Sequence, residues 1–180
     1  MKTVKGRPSL FPSSLQKWPW GSILTVGTTV AVLVLIVNDE GAMQWIQTAL
    51  ATITAGILTL FGHAAVVAGS TVQTDVFGIS VVTACTGLFT TGLYVIAVLA
   101  FPARWRARAI GLAMGIGGIF VLNLIRLVSL YFIGVHFPGV LDLAHQGIWQ
   151  AVFIVFAVVL WLLWAGRWGR ARRPASKVVS

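Results

Sequence analysis

The stretch AIGLAMGIGGIFVLNLIRLVSLYF, residues 109–132, decides the fold. It carries no charge before Arg126, and as a helix it is long enough to cover the hydrocarbon of a bilayer. Working outward, uncharged runs cover residues 76–103 and 146–166 on either side. Two more cover 18–38 and 41–74, the second broken only by His63. Of 180 residues, 58% are hydrophobic and 9% charged, with a mean hydropathy of +0.92. A soluble domain carries roughly a quarter of its residues as charges. The chain reads as an all-α integral membrane protein.

A net charge of +9 does not point to nucleic acid here. The basic residues stand in short blocks beside apolar runs, where membrane orientation accounts for them, and anionic lipid headgroups are the partners they suit. Cys85, the one cysteine, has no partner for an internal disulfide, so helix packing must hold the fold. The basic N-terminus before an apolar run looks like a signal peptide, but Val37, Asn38, Asp39 and Glu40 offer no small-x-small cleavage site. It reads as a retained anchor.

Charge also predicts orientation. Lys2, Lys5, Arg7 and Lys17 form one basic group, Arg104, Arg106 and Arg108 a second, and Arg167, Arg170, Arg172, Arg173 and Lys177 a third; Asp39, Glu40, Asp75 and Asp142 lie elsewhere. Basic loops stay cytoplasmic, so an even number of spans must separate the first two groups. Three apolar segments lie between them, and the weakest is 43–61. Ile46, Leu50, Ile53, Ile57 and Leu60 recur there at helical spacing, with Gln44, Gln47, Thr48, Thr52 and Thr59 on the other faces, the pattern of an interfacial helix. The expected layout is a small bundle of four transmembrane helices, at about 18–37, 83–101, 109–132 and 147–165, plus an outer interfacial helix. A fifth span at 43–61 is the alternative. A hairpin is expected within 66–82. Basic cytoplasmic tails at 1–17 and 166–180 flank one membrane-embedded domain, 18–165. Trp18, Trp20, Trp105, Trp161, Trp164 and Trp168 are expected near the inner boundary. Gly111, Gly115 and Gly118 share a face that would admit a close neighbour.

Three residues lack a packing explanation. Arg126 is a guanidinium inside an apolar helix, which usually marks a polar cavity or a partner, and Asn123 lies three residues earlier on the same face. Cys85 stands in Ala84-Cys85-Thr86-Gly87 at the outer start of a span, where a helix N-terminus and a nearby guanidinium favour a thiolate. His145 precedes the last span on the same side. His136 has nearly the same claim from spacing, and His63 a weaker one. A thiol, a fixed cation and an imidazole near one leaflet suit nucleophilic chemistry. No ligand spacing supports a metal, and no cofactor is implied. The rival class is a non-enzymatic scaffold or transporter component with Arg126 lining a polar path.

The order Cys85 in Ala-Cys-Thr-Gly, Asn123-Leu-Ile-Arg126, then His145 before the last span resembles the exosortase/archaeosortase family, over about residues 61–164 and closest in style to the compact exosortase H members. The resemblance implies a membrane-embedded cysteine transpeptidase or peptidase. Its partners would be membrane-anchored substrate proteins with a C-terminal sorting signal: a short motif, a transmembrane helix and a basic tail. It makes Cys85 the nucleophile, Arg126 the essential cation and His145 rather than His136 the acid/base partner, in the cell membrane with the site facing the extracytoplasmic side. In the mechanism expected from these residues, the Thr86 and Gly87 amides complete an oxyanion hole and Asn123 orients the arginine or the substrate carbonyl.

Overall fold

A computed structural model describes residues 20–168, with side chains from residue 23 onward. The N-terminal tail, Trp18 and everything beyond Trp168 lie outside the described residues. Helix α1 covers Trp20–Asn38 and α2 covers Glu40–Leu60. Between them Asp39 is extended and caps α2, its carboxylate accepting from the Ala42 amide at 2.9 Å. The two axes differ by 80°. The face that α2 buries is Met43, Leu50, Ala51, Thr54, Ala55 and Leu58, rotated from the expected stripe, with Ile53 and Leu60 exposed. Small residues win that face because they let α2 approach its neighbours closely.

The expected hairpin is a three-stranded antiparallel sheet in the order β1 (Val66–Ala68), β2 (Thr71–Gln73), β3 (Gly78–Ser80). Thr74 makes the third strand possible. Its hydroxyl accepts from the Val76 and Phe77 amides and folds the chain back after β2. Val72 on β2 and Val81 just beyond β3 are fully buried under α2.

A 3-10 turn, Thr83–Cys85, leads to α3, Leu88–Ala100. This helix is far shorter than the expected span, about 20 Å long at 1.5 Å per residue. Gly87, at φ +71°, breaks it from the cysteine turn, a left-handed conformation that glycine adopts without strain. Pro102 ends it by holding Phe101 extended. Helix α4, Trp105–His136, is longer than expected at both ends. Arg106 and Arg108 lie on its first turn rather than in a loop, and the Arg108 guanidinium donates to the Phe101 carbonyl at 3.1 Å. A short 3-10 turn, Pro138–Val140, and a π-helical turn, Leu143–Ile148, lead into α5, Trp149–Arg167.

Among the described residues two helical stretches, Trp105–His136 and Leu143–Arg167, are long and apolar enough to cross a membrane; the bent α1–α2 pair is a third candidate, and α3 is a short apolar helix. Two cores result. A cap core joins α2, the sheet and the His136 half of α4 through Leu50, Leu58, Val72, Val81, Leu127 and Tyr131. A membrane core joins α3, α4 and α5 through Tyr94, Val98, Ile119, Phe153 and Trp164. The α4 glycines are notches in it. Gly111 receives the Trp164 indole, Gly115 the Tyr94 ring, and Gly118 Phe156 with Leu160. Trp164 is fully buried and its indole donates to the Ala107 carbonyl at 2.7 Å, so it packs the helices together instead of lying free on the bundle's surface.

Candidate active site

The site forms where the two cores meet. Cys85 ends the 3-10 turn before Gly87, and the left-handed Gly87 backbone lies against the Asn123 side chain of α4. Asn123 donates through Nδ2 to the Cys85 carbonyl at 2.9 Å, so α4 fixes the cysteine's main chain. Gln47 of α2 holds the same turn from the other side, donating to the Thr83 hydroxyl at 3.2 Å.

His145 comes from the π-helical turn. Such turns carry an extra residue and recur at functional sites; here the turn presents Nε2 to Cys85 Sγ at 3.0 Å. Arg126, only 4% exposed, bridges the two segments. One guanidinium nitrogen donates to the Ala84 carbonyl and the other to the His145 carbonyl, both at 3.3 Å. Its guanidinium also lies over the Phe153 ring, 5.5 Å from the centroid. Arg126 thus clamps the main chains carrying the thiol and the imidazole, while its charge acts on the thiol through space.

Cys85 and His145 open onto a cavity of about 230 Å³, also lined by Ser80, Leu130 and Asp142. Asp142 and Ser80 were not singled out from the sequence. Asp142 lies three residues before His145, at helical spacing, and that was the available signal. Of the other histidines, His63 Nδ1 sits 3.3 Å from the Tyr131 hydroxyl, which also bonds Thr74 at 2.9 Å. His136 bonds the Phe132 carbonyl on its own helix. Neither reaches Cys85.

Two chemical expectations change. Burial pushes the Cys85 thiol above its ordinary value; the Arg126 charge and a Val82 backbone hydrogen bond pull it down only in part. Desolvation outweighs the favourable charge at sulfur, and burial together with the Arg126 charge lowers the His145 imidazole, so both shifts oppose a thiolate–imidazolium pair. The Thr86 amide is not free either, since it donates to the Thr83 carbonyl at 3.2 Å. The Gly87 amide makes no hydrogen bond among the described residues. Two polar atoms nearby are buried without a partner, Asn123 Oδ1 and Arg126 Nε.

A thiol beside an imidazole, at the wall of a small cavity, suits general-base-assisted attack on a carbonyl. Among known proteins, the model of the transmembrane exosortase family matches residues 14–165. No curated protein and no solved structure matches the chain.

Proposed function

The chain belongs to the transmembrane exosortase family, multi-pass membrane proteins with protein-sorting transpeptidase activity on exported substrates, and from that premise we propose that it works as a cysteine enzyme through Cys85 and His145. The observation that carries this reading is the 3.0 Å approach of Sγ to Nε2 at the wall of a cavity.

In the proposed cycle the thiol gives its proton to His145 Nε2 as Sγ bonds to the substrate carbonyl carbon. The oxyanion that forms is met by the Gly87 amide and the positive field of Arg126. His145 returns the proton to the departing amine as the C–N bond breaks, leaving a thioacyl-enzyme. An acceptor, water or an amine, then loses a proton to His145 and attacks the thioester. The C–S bond breaks and the proton returns to sulfur. Asn123 and Arg126 hold the main chains of both reacting residues in place. The substrate is an exported protein ending in a short motif, a transmembrane helix and a basic tail.

The same reading sets the topology. Helices α1, α3, α4 and α5 cross, α2 lies on the extracytoplasmic surface, and Arg104, Arg106, Arg108 and Arg167 stay cytoplasmic. The 80° turn into α2 supports this, as does the depth of the site. Trp105 to Arg126 on α4 and His145 to Arg167 on α5 each span about 32 Å at 1.5 Å per residue, close to one hydrocarbon thickness. The site then opens at the extracytoplasmic boundary of the cell membrane, within reach of a motif that leaves the bilayer there.

The test is intact-mass analysis of an exported protein from the same genome that ends in an apolar helix and an arginine-rich tail, co-expressed with the chain. The wild type is expected to remove the tail and Cys85→Ala to leave it whole while still purifying as a folded membrane protein. Processing by Cys85→Ala would overturn the nucleophile. The product mass tells water from another acceptor.

A further inference from the structure

The residues on either side of Cys85 face a different space from Cys85 itself. Ala84 and Thr86 close one end of a groove of about 700 Å³ that runs between α1 and α3, past Val34, Val37, Phe89 and Leu93, whereas Cys85 faces the smaller cavity with His145. One loop is therefore the wall shared by both spaces. The groove is open: Phe89 is 74% and Val34 52% exposed. Its polar groups, Asn38, Thr83 and Thr86, gather at the cysteine end, and along α1 and α3 it is lined by apolar side chains down to Ile96. From Leu88 to Ile96 that is about 12 Å of helix, two turns and a little more.

We propose that this groove seats the substrate's own membrane anchor, in its first two helical turns beyond the cleaved bond, so that α1 and α3 select what reaches Cys85. The inference rests on the cysteine chemistry proposed above and adds where the substrate binds. A chain crossing the shared wall has its carbonyl at Cys85 and its amine side in the groove, the side His145 must protonate as it leaves. The gradient from polar to apolar matches a segment that passes from the boundary into a lipid-soluble helix. The opposite flank of α3 fits less well. The groove there, against α5, also takes in Phe89 but shares neither Ala84 nor Thr86 with the cysteine loop.

The experiment uses the full chain carrying Cys85→Ala, co-expressed with the same tail-bearing exported protein, with photoreactive benzoyl-phenylalanine placed at Val30, Val34 or Val158. Val30 and Val34 line the α1–α3 groove and Val158 the other. Crosslinks to the substrate are expected from Val30 and Val34 and not from Val158. In the chain with its cysteine, Val34→Trp should fill the groove and slow processing by roughly tenfold or more, with the rate of Cys85 alkylation by a small reagent unchanged. Crosslinks from Val158 instead, crosslinks to lipid alone, or normal processing by Val34→Trp would overturn the groove. Cleavage by the unmodified chain alongside crosslinks from Val158 would leave the cysteine chemistry standing. Crosslinks from Val34 with no cleavage by the unmodified chain would do the reverse.

Discussion

The cap core and the membrane core meet at Cys85 but differ in the balance of side chains that fill them. The cap buries mostly Leu, Val and Ala from α2, the sheet and α4 around Tyr131, sets one ring, Phe77, on Gly134, and carries a polar chain, His63 to Tyr131 to Thr74, through its edge. The membrane core sets aromatic rings into glycine notches, Tyr94 on Gly115 and Trp164 on Gly111. In the proposed topology the cap lies outside the hydrocarbon, where apolar burial stabilises it as in any soluble domain. Helices in lipid gain little that way, because the surroundings are as apolar as the side chains, and must rely on close fit. The lesson is that shape should dominate in one half and burial with hydrogen bonding in the other.

The sharpest way to break that contrast is Gly115→Leu. A side chain there collides with the Tyr94 ring, and overpacking should cost about 3 kcal/mol, read as loss of the monodisperse peak in detergent. Adding Tyr94→Ala should restore part of it. Indifference to Gly115→Leu would mean that the membrane core is not held by fit.

Next in size is Arg126→Gln, which acts on the joint between the halves. It removes charged hydrogen bonds to the Ala84 and His145 carbonyls, worth about 2 kcal/mol. It also removes the charge that lowers the Cys85 thiol. The thiol, already raised by burial, must rise further, so the midpoint of Cys85 alkylation against pH should move to the alkaline side. A midpoint that stays or falls would show that the guanidinium charge is not felt at sulfur. The smallest effect belongs to the cap. Tyr131→Phe loses the hydroxyl shared by Thr74 and His63 and should cost about 1 kcal/mol, seen as faster hydrogen exchange in β2 and β3 with α3 and α5 unchanged.

Much of this was legible in the sequence for physical reasons. Apolar runs broken by Asn38-Asp39-Glu40 and by the Arg104–Arg108 cluster mark where helices in lipid must turn or stop. Arg126 stood out because a charge among apolar residues has few explanations. What stayed hidden depends on contacts between distant segments. Gly87 adopts its left-handed turn against Asn123, thirty-six positions away, and that turn shortens α3. The third strand depends on a single Thr74 hydroxyl. The rotated face of α2 follows from how small residues meet α4 and the sheet, which periodicity of large residues does not report. The thiol's raised value is likewise a property of its burial. Spacing left His136 level with His145; the fold separates them by a turn and a helix end.

The π-helical turn at Leu143–Ile148 has a consequence for how such a chain can change. An inserted residue rotates everything beyond it by about 100° around a helix axis. Because the turn absorbs one residue, the angular phase of His145 and that of the lipid-facing side of α5 are set separately. The face that α5 turns outward is therefore not tied to the direction in which the imidazole meets its thiol.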